Sequence, residues 1–150
     1  RKDVKTHDIA PKMRAEEIAD KAMEEIRAGT DFIFVNFANA DMVGHTANRE
    51  AIIIAIEELD KQLKRICESA ENKNTTIFVT ADHGNAEINI DQKTGERHTS
   101  HTTNPVPMIV TDKNLKLRSG TLADIAPTVL KLFGIEIPKT MTGKILINQD

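Results

Sequence analysis

A chain of 150 residues with 39% hydrophobic and 29% charged residues has the balance of an ordinary globular domain with enough length to bury a core, which argues against disordered, fibrous and coiled-coil classes. Its formal charge of -3 comes without a dense Lys/Arg run and without Trp or Tyr, so neither the electrostatic footprint nor the stacking platforms of a nucleic-acid binder are present, and no apolar run reaches the roughly 20 residues of a membrane span. No nucleic-acid and no membrane partner is expected. The lone cysteine, Cys67, excludes an internal disulfide and a thiolate cluster, and points to a reducing compartment.

The opening RKDVKTHDIAP has no apolar region of a signal peptide, and the chain starts at Arg1 rather than Met, so it reads as a piece of something longer. In MRAEEIADKAMEEIRA, residues 13–28, Met13, Ile18, Ala22 and Ile26 recur at spacings near three and four. Acidic residues come early and Arg27 late, which predicts an amphipathic helix ended by Gly29. The run DFIFVNF, with Phe32 to Phe37 nearly all apolar, predicts a parallel strand buried on both faces. From Asn48 to about Glu71 a stripe of Ile53, Ile56, Leu59, Leu63 and Ile66 between charged faces predicts a second helix. TTIFVTA, residues 75–81, predicts a second buried strand.

The polar stretch that follows contains Thr94-Gly95, expected as an exposed turn in a long loop or hairpin. Val106 to Val110 can form a third short strand, which Pro105 and Pro107 confine to an edge or a late start. A last helix is expected near Leu122 to Phe133, with Thr121 as cap, Pro127 in its first turn or at a kink, and Gly134 as the stop. Strands alternating with helices predict an α/β fold, a mostly parallel sheet with helices on both faces, in a single domain over 1–150.

Three constellations carry chemistry. Asp41 and His45 stand four apart directly after the first strand, so both face one side of a helical turn and can clamp an ion with oxygen and nitrogen. By spacing alone a capping aspartate and a surface histidine are the simpler explanation, because capping is so common. Asp82-His83-Gly84 follows the second strand, and the glycine permits a turn that lets neighbouring side chains converge. Both pairs sit at strand carboxyl ends, the edge where open α/β sheets bind ligands. Of His98 and His101, His101 lies nearer the third strand and is the better candidate. His7 has no such context, and Asn36, Asn39 and Asn85 are candidates either for orienting ligands or for plain turns. Asp and His without Cys suit Mn2+ or Zn2+, yet five ligands are too few for two ions. No phosphate-binding glycine loop and no serine elbow is present.

The strings NFANADMVGHTAN, FVTADHGNAE, HTSHTTNPVP and LADIAPTVLKLFGIEIPKTMTGK, in that order over nearly the whole chain, closely resemble the C-terminal portion of the phosphatase-like domain of cofactor-independent (2,3-bisphosphoglycerate-independent) phosphoglycerate mutase, in the alkaline phosphatase superfamily. The resemblance implies an incomplete alkaline-phosphatase-like fold and two Mn2+ ions, with Mg2+, Co2+ or Zn2+ as alternatives. It assigns Asp41, His45 and His101 to one ion, and Asp82 and His83 to the other. It also implies a cytoplasmic, monomeric parent that interconverts 2- and 3-phosphoglycerate in glycolysis and gluconeogenesis through a phosphoserine. On this reading the serine nucleophile, a further aspartate and the substrate-gripping residues lie in an N-terminal segment and an inserted domain outside these 150 residues, and the isolated fragment is inactive. Ala40 and Ile88-Asn89-Ile90 depart from the family's usual residues without touching a proposed ligand. A phosphatase or phosphopentomutase of the same superfamily, or an inert metal-binding module, are the alternatives.

Overall fold

The structure is a computed structural model that describes residues 4–148, and its internal contacts group them into two compact units. One runs to Thr76 and resumes over His83–Val106; the other takes Ile77–Asp82 and the chain from Pro107 onward.

In the first unit, helix α1 spans Ala15–Ala28 and buries Ala15, Ala19, Ala22, Met23 and Ile26, a stripe of mostly small side chains that allows close helix packing. Glu16 and Glu17 in its first turn and Arg27 in its last suit the helix dipole. It stops at Gly29, whose φ of 79° is left-handed and open to glycine at little cost. Helix α2 is the short Asn39–Gly44, and helix α3 is Arg49–Glu71, capped by the Asn48 side chain accepting from the Ala51 N–H. α1 packs along α3, and α2 packs on the beginning of α3.

The inward face of α3 differs from the expected stripe. Ala51, Ile52, Ala55, Glu58, Gln62, Ile66 and Ala70 are buried, while Ile53 and Ile56 are each 43% exposed. Small residues let α1 approach, and a polar ladder fills the rest of the seam. Gln62 donates to Glu58 at 2.5 Å, Lys12 pairs with Glu58 at 3.4 Å, and Arg65 reaches both Gln62 and Asp20 at 2.6 Å. The Gln62 bond holds the Glu58 carboxyl below its usual range, so this buried acid remains an acceptor.

The segment 32–37 also departs from expectation. No strand is assigned there among the described residues, and Phe32 and Phe34 are 59% and 81% exposed. Exposure nevertheless alternates, with Ile33, Val35 and Phe37 half-buried, so one face follows a strand's period of two. β propensity supplies the side chains; a strand also needs a neighbouring edge to bond with.

In the second unit, β1 (Phe78–Thr80) pairs antiparallel with β2 (Met108–Val110), Phe78 opposite Val110. β2 begins just past Pro107, the late start that the two prolines impose. The ladders seen among the described residues are antiparallel where mostly parallel pairing was expected, the other joining β3 (Lys116–Leu117) to β4 (Ile147–Asn148). Helix α4, Ile125–Leu132, follows a 3-10 turn at Leu122–Asp124 and has Pro127 in its first turn, where the missing N–H costs nothing. Thr121 and Asp124 form a reciprocal capping box, and the Asp124 carboxylate also accepts from the Lys144 N–H at 2.6 Å. These backbone donors hold its carboxyl below the usual range.

Candidate metal centre

α2 is fixed from beneath, which leaves its outer face for chemistry. Val43 is fully buried against Ala51, Ile52 and Ala55, with Met13 and Ala86 packed alongside. Asn39, 1% exposed, donates from Nδ2 to the carbonyls of Pro11 and Lys12, each at 2.9 Å. Helical backbone persists through His45 at the C-cap. Asp41 and His45 therefore project from one face, and His45 Nε2 lies 3.1 Å from Asp41 Oδ1.

The other two histidines arrive on loops of the same unit. Gly84 and Thr102 form an isolated antiparallel bridge, the Thr102 N–H donating to the Gly84 carbonyl at 2.8 Å. His83 and His101 are the residues just before each bridge partner, and their rings stack with centroids 3.6 Å apart and planes 18° off parallel. His101 Nε2 then lies 3.1 Å from Asp41 Oδ1 and 3.2 Å from His45 Nε2.

Three donor atoms thus make a nearly equilateral triangle. Metal–ligand bonds of about 2.0–2.1 Å give ligand–ligand edges of about 3.0 Å in an octahedron and about 3.4 Å in a tetrahedron. The observed edges of 3.1–3.2 Å fall between them. His45 Nδ1 is 2.6 Å from the Thr99 carbonyl, which can only accept, so Nδ1 carries a proton and Nε2 is the ring atom left to face the triangle. Two imidazole nitrogens and a carboxylate oxygen at such separations require a proton or a cation among them. The side chains of Asp41, His45 and His101 are 34%, 39% and 49% exposed, so an ion has access from solvent. A second, looser triad of Asp41, His83 and His101 keeps its ligand atoms within 4.8 Å of one another. The tighter triangle matches one ion's coordination shell better, and His83 is left beside it for a neighbouring position.

Asp41 is held in turn by Asn85, 5% exposed, whose Nδ2 donates to Asp41 Oδ1 at 2.7 Å and to its carbonyl at 3.2 Å. Of the three asparagines singled out by sequence, Asn85 alone contacts a candidate ligand; Asn39 braces the helix and Asn36 is exposed. His98 lies just past the Ile90–Arg97 bridge, its N–H donating to the Asn89 carbonyl, and His7 in a 3-10 turn, both outside the triangle. Asp82 closes the segment Ile77–Asp82 of the other unit. The sequence reading missed Glu87, Thr99 and Gly44. Glu87 left one signal, an acid two residues beyond an asparagine that follows Asp-His-Gly.

An α/β chain with a carboxylate and two imidazoles converging on one point has the features of a metal-dependent enzyme domain. It belongs to the Metalloenzyme superfamily, whose family model matches residues 2–137. The chain is 51% identical over 148 residues to the 2,3-bisphosphoglycerate-independent phosphoglycerate mutase of Paracoccus denitrificans, covering 97% of this chain and 29% of the relative. It is 49% identical over 150 residues to phosphoglycerate mutase 2 of that kind from Methanosarcina barkeri, covering 98% and 29%. A crystal structure of Leishmania mexicana phosphoglycerate mutase at low cobalt concentration superposes with a TM-score of 0.87 at 29% identity, over 99% of this chain and 30% of that one. The chain therefore spans under a third of the length of the relatives it matches.

Proposed function

We propose that this chain is the metal-holding, C-terminal portion of a cofactor-independent phosphoglycerate mutase, and that Asp41, His45 and His101 bind one divalent ion. The observation that carries the ion site is the triangle of Asp41 Oδ1, His45 Nε2 and His101 Nε2 with edges of 3.1–3.2 Å. The mutase reading rests on the relatives, whose names supply the reaction, and on the four motifs in order. Asp82 and His83 belong by the sequence resemblance to a second ion, whose remaining ligands and the serine nucleophile come from a segment outside these residues. Bound Mn2+ would act as a Lewis acid toward phosphoryl oxygens and lower the pKa of the attacking hydroxyl.

The chain's own residues do the holding. Asp41 contributes the negative charge, and the Thr99 carbonyl keeps His45 in the ligating tautomer. The α2 helix keeps two of the three donors in register whether or not substrate is present. Glycolytic exchange of 2- and 3-phosphoglycerate in the cytoplasm, by a monomeric parent, follows from the same reading.

Titration of the chain with Co2+ or Mn2+ tests the ion site: one ion bound by the wild type, and affinity lower by at least a hundredfold in His45→Ala and His101→Ala, are expected. Unchanged stoichiometry and affinity in both variants would refute the assignment. Expression together with the coding sequence found upstream tests the mutase reading, with exchange of the two phosphoglycerates expected. Release of inorganic phosphate, or turnover of sugar phosphates instead, favours a phosphatase or phosphopentomutase.

A further inference from the structure

Glu87 ties together three residues around the centre at once. Its Oε2 accepts from the Asn85 N–H at 2.7 Å; its Oε1 accepts from the Thr102 hydroxyl and from Asn104 Nδ2 at 3.0 Å. Asn85 is the residue that donates to Asp41, Thr102 is the neighbour of His101, and the Gly84–Thr102 bridge lies beside the same carboxylate. A Cβ on Gly84 would come within 3.0 Å of Glu87 Cδ, so the close approach of carboxylate and bridge depends on a glycine there.

From this geometry we infer that Glu87 is a positioning residue for the metal centre. It zips the 83–88 loop to the 101–104 loop, which stacks His83 on His101 and braces Asn85 against Asp41. Both carboxylate oxygens are engaged by these donors, which distinguishes its role from that of a ligand. Ionised carboxylates accept only, and the three donors converging on Glu87 are an amide N–H, a hydroxyl and a side-chain amide. A glutamine cannot replace it cleanly, because its NH2 would face one of these donors. Glu87 is exposed, so its replacement removes the zip and leaves the buried core untouched.

The inference rests on the triangle binding an ion, and its test separates the two. Glu87→Ala, Glu87→Gln and, as a second route, Thr102→Val are compared with the wild type by proton NMR of the histidine rings without metal and by Co2+ absorption titration. Stacking at 3.6 Å gives the His83 and His101 ring protons an upfield ring-current shift in the wild type. That shift is expected to vanish in Glu87→Ala and to weaken in Glu87→Gln and Thr102→Val. Co2+ affinity is expected to fall about 10- to 100-fold in Glu87→Ala, as for other residues that orient metal ligands, while the urea midpoint moves little. Ring shifts and Co2+ affinity within twofold of wild type in both Glu87→Ala and Thr102→Val would overturn the inference. If the wild type binds no Co2+ but Glu87→Ala still abolishes the ring shifts, the positioning role stands and the metal reading falls.

Discussion

Gly44→Ala probes how tightly the metal centre is coupled to the fold. Gly44 is the last residue of α2 and is buried, and its φ is not left-handed, so alanine meets no backbone strain there. The added Cβ would collide with Asn85 Oδ1, lie 2.8 Å from Asn85 Cγ and sit 3.3 Å from the Ala86 backbone nitrogen; the side-chain contacts could be relieved only if Asn85 had room to move. Asn85 has little room, being 5% exposed. Overpacking of this kind costs about 1–3 kcal/mol. Displacing Asn85 also removes its bonds to Asp41, one of them to a charged oxygen and worth about 1.5–3 kcal/mol. Alanine's better helix propensity returns about 1 kcal/mol. The net is about 1.5–5 kcal/mol, a large share of a typical stability of 5–15 kcal/mol. Urea unfolding of the metal-free chain reads the stability, and Co2+ titration of the same sample reads the loss of a held Asp41. A Gly44→Ala chain within about 0.5 kcal/mol of wild type, with unchanged Co2+ affinity, would refute the argument that Asn85 is wedged between Gly44 and Asp41.

Gly29→Ala makes the contrasting case: a Cβ added there would meet no heavy atom within 4 Å, yet φ is 79°, so a purely conformational loss of about 1 kcal/mol is expected in urea, with metal binding intact. Val43→Ala, under the ligand-bearing helix and 0% exposed, should lose about 2 kcal/mol in the same measurement. Co2+ or Zn2+ at about a hundred times its Kd should stabilise the wild type by about 2.7 kcal/mol, reversed by chelator and absent in His45→Ala. Asp124 gives a pH signature. Its carboxyl is held below the ordinary range by backbone N–H donors, so its contribution is present above the unfolded-state value of about 3.9 and is lost as pH falls through the folded one. The Tm gap between wild type and Asp124→Ala should be widest near neutrality and close in strong acid; a gap that widens on acidification contradicts the sign.

Local rules determined the helices and their ends. The α1 boundary at Gly29, the Asn48 cap of α3, the Thr121 box before α4 and the delayed start of β2 after Pro107 each follow from a few neighbouring residues, because capping and φ restriction act within one turn. The Asp41–His45 pairing was legible for the same reason, since four residues of helix set it. What local rules left open was decided by packing. The inward face of α3 turned to Glu58 and Gln62 because α1 and the turn before it bring Lys12, Asp20 and small alanines to meet it, and apolar periodicity cannot register polar groups that are satisfied by a distant partner. Residues 32–37 have a strand's composition without a ladder, since pairing belongs to the neighbour as much as to the segment. Glu87 shows the limit most plainly. Its chemistry depends on Asn85, Thr102 and Asn104, and separations of up to 17 residues are bridged only when two loops fold against one another.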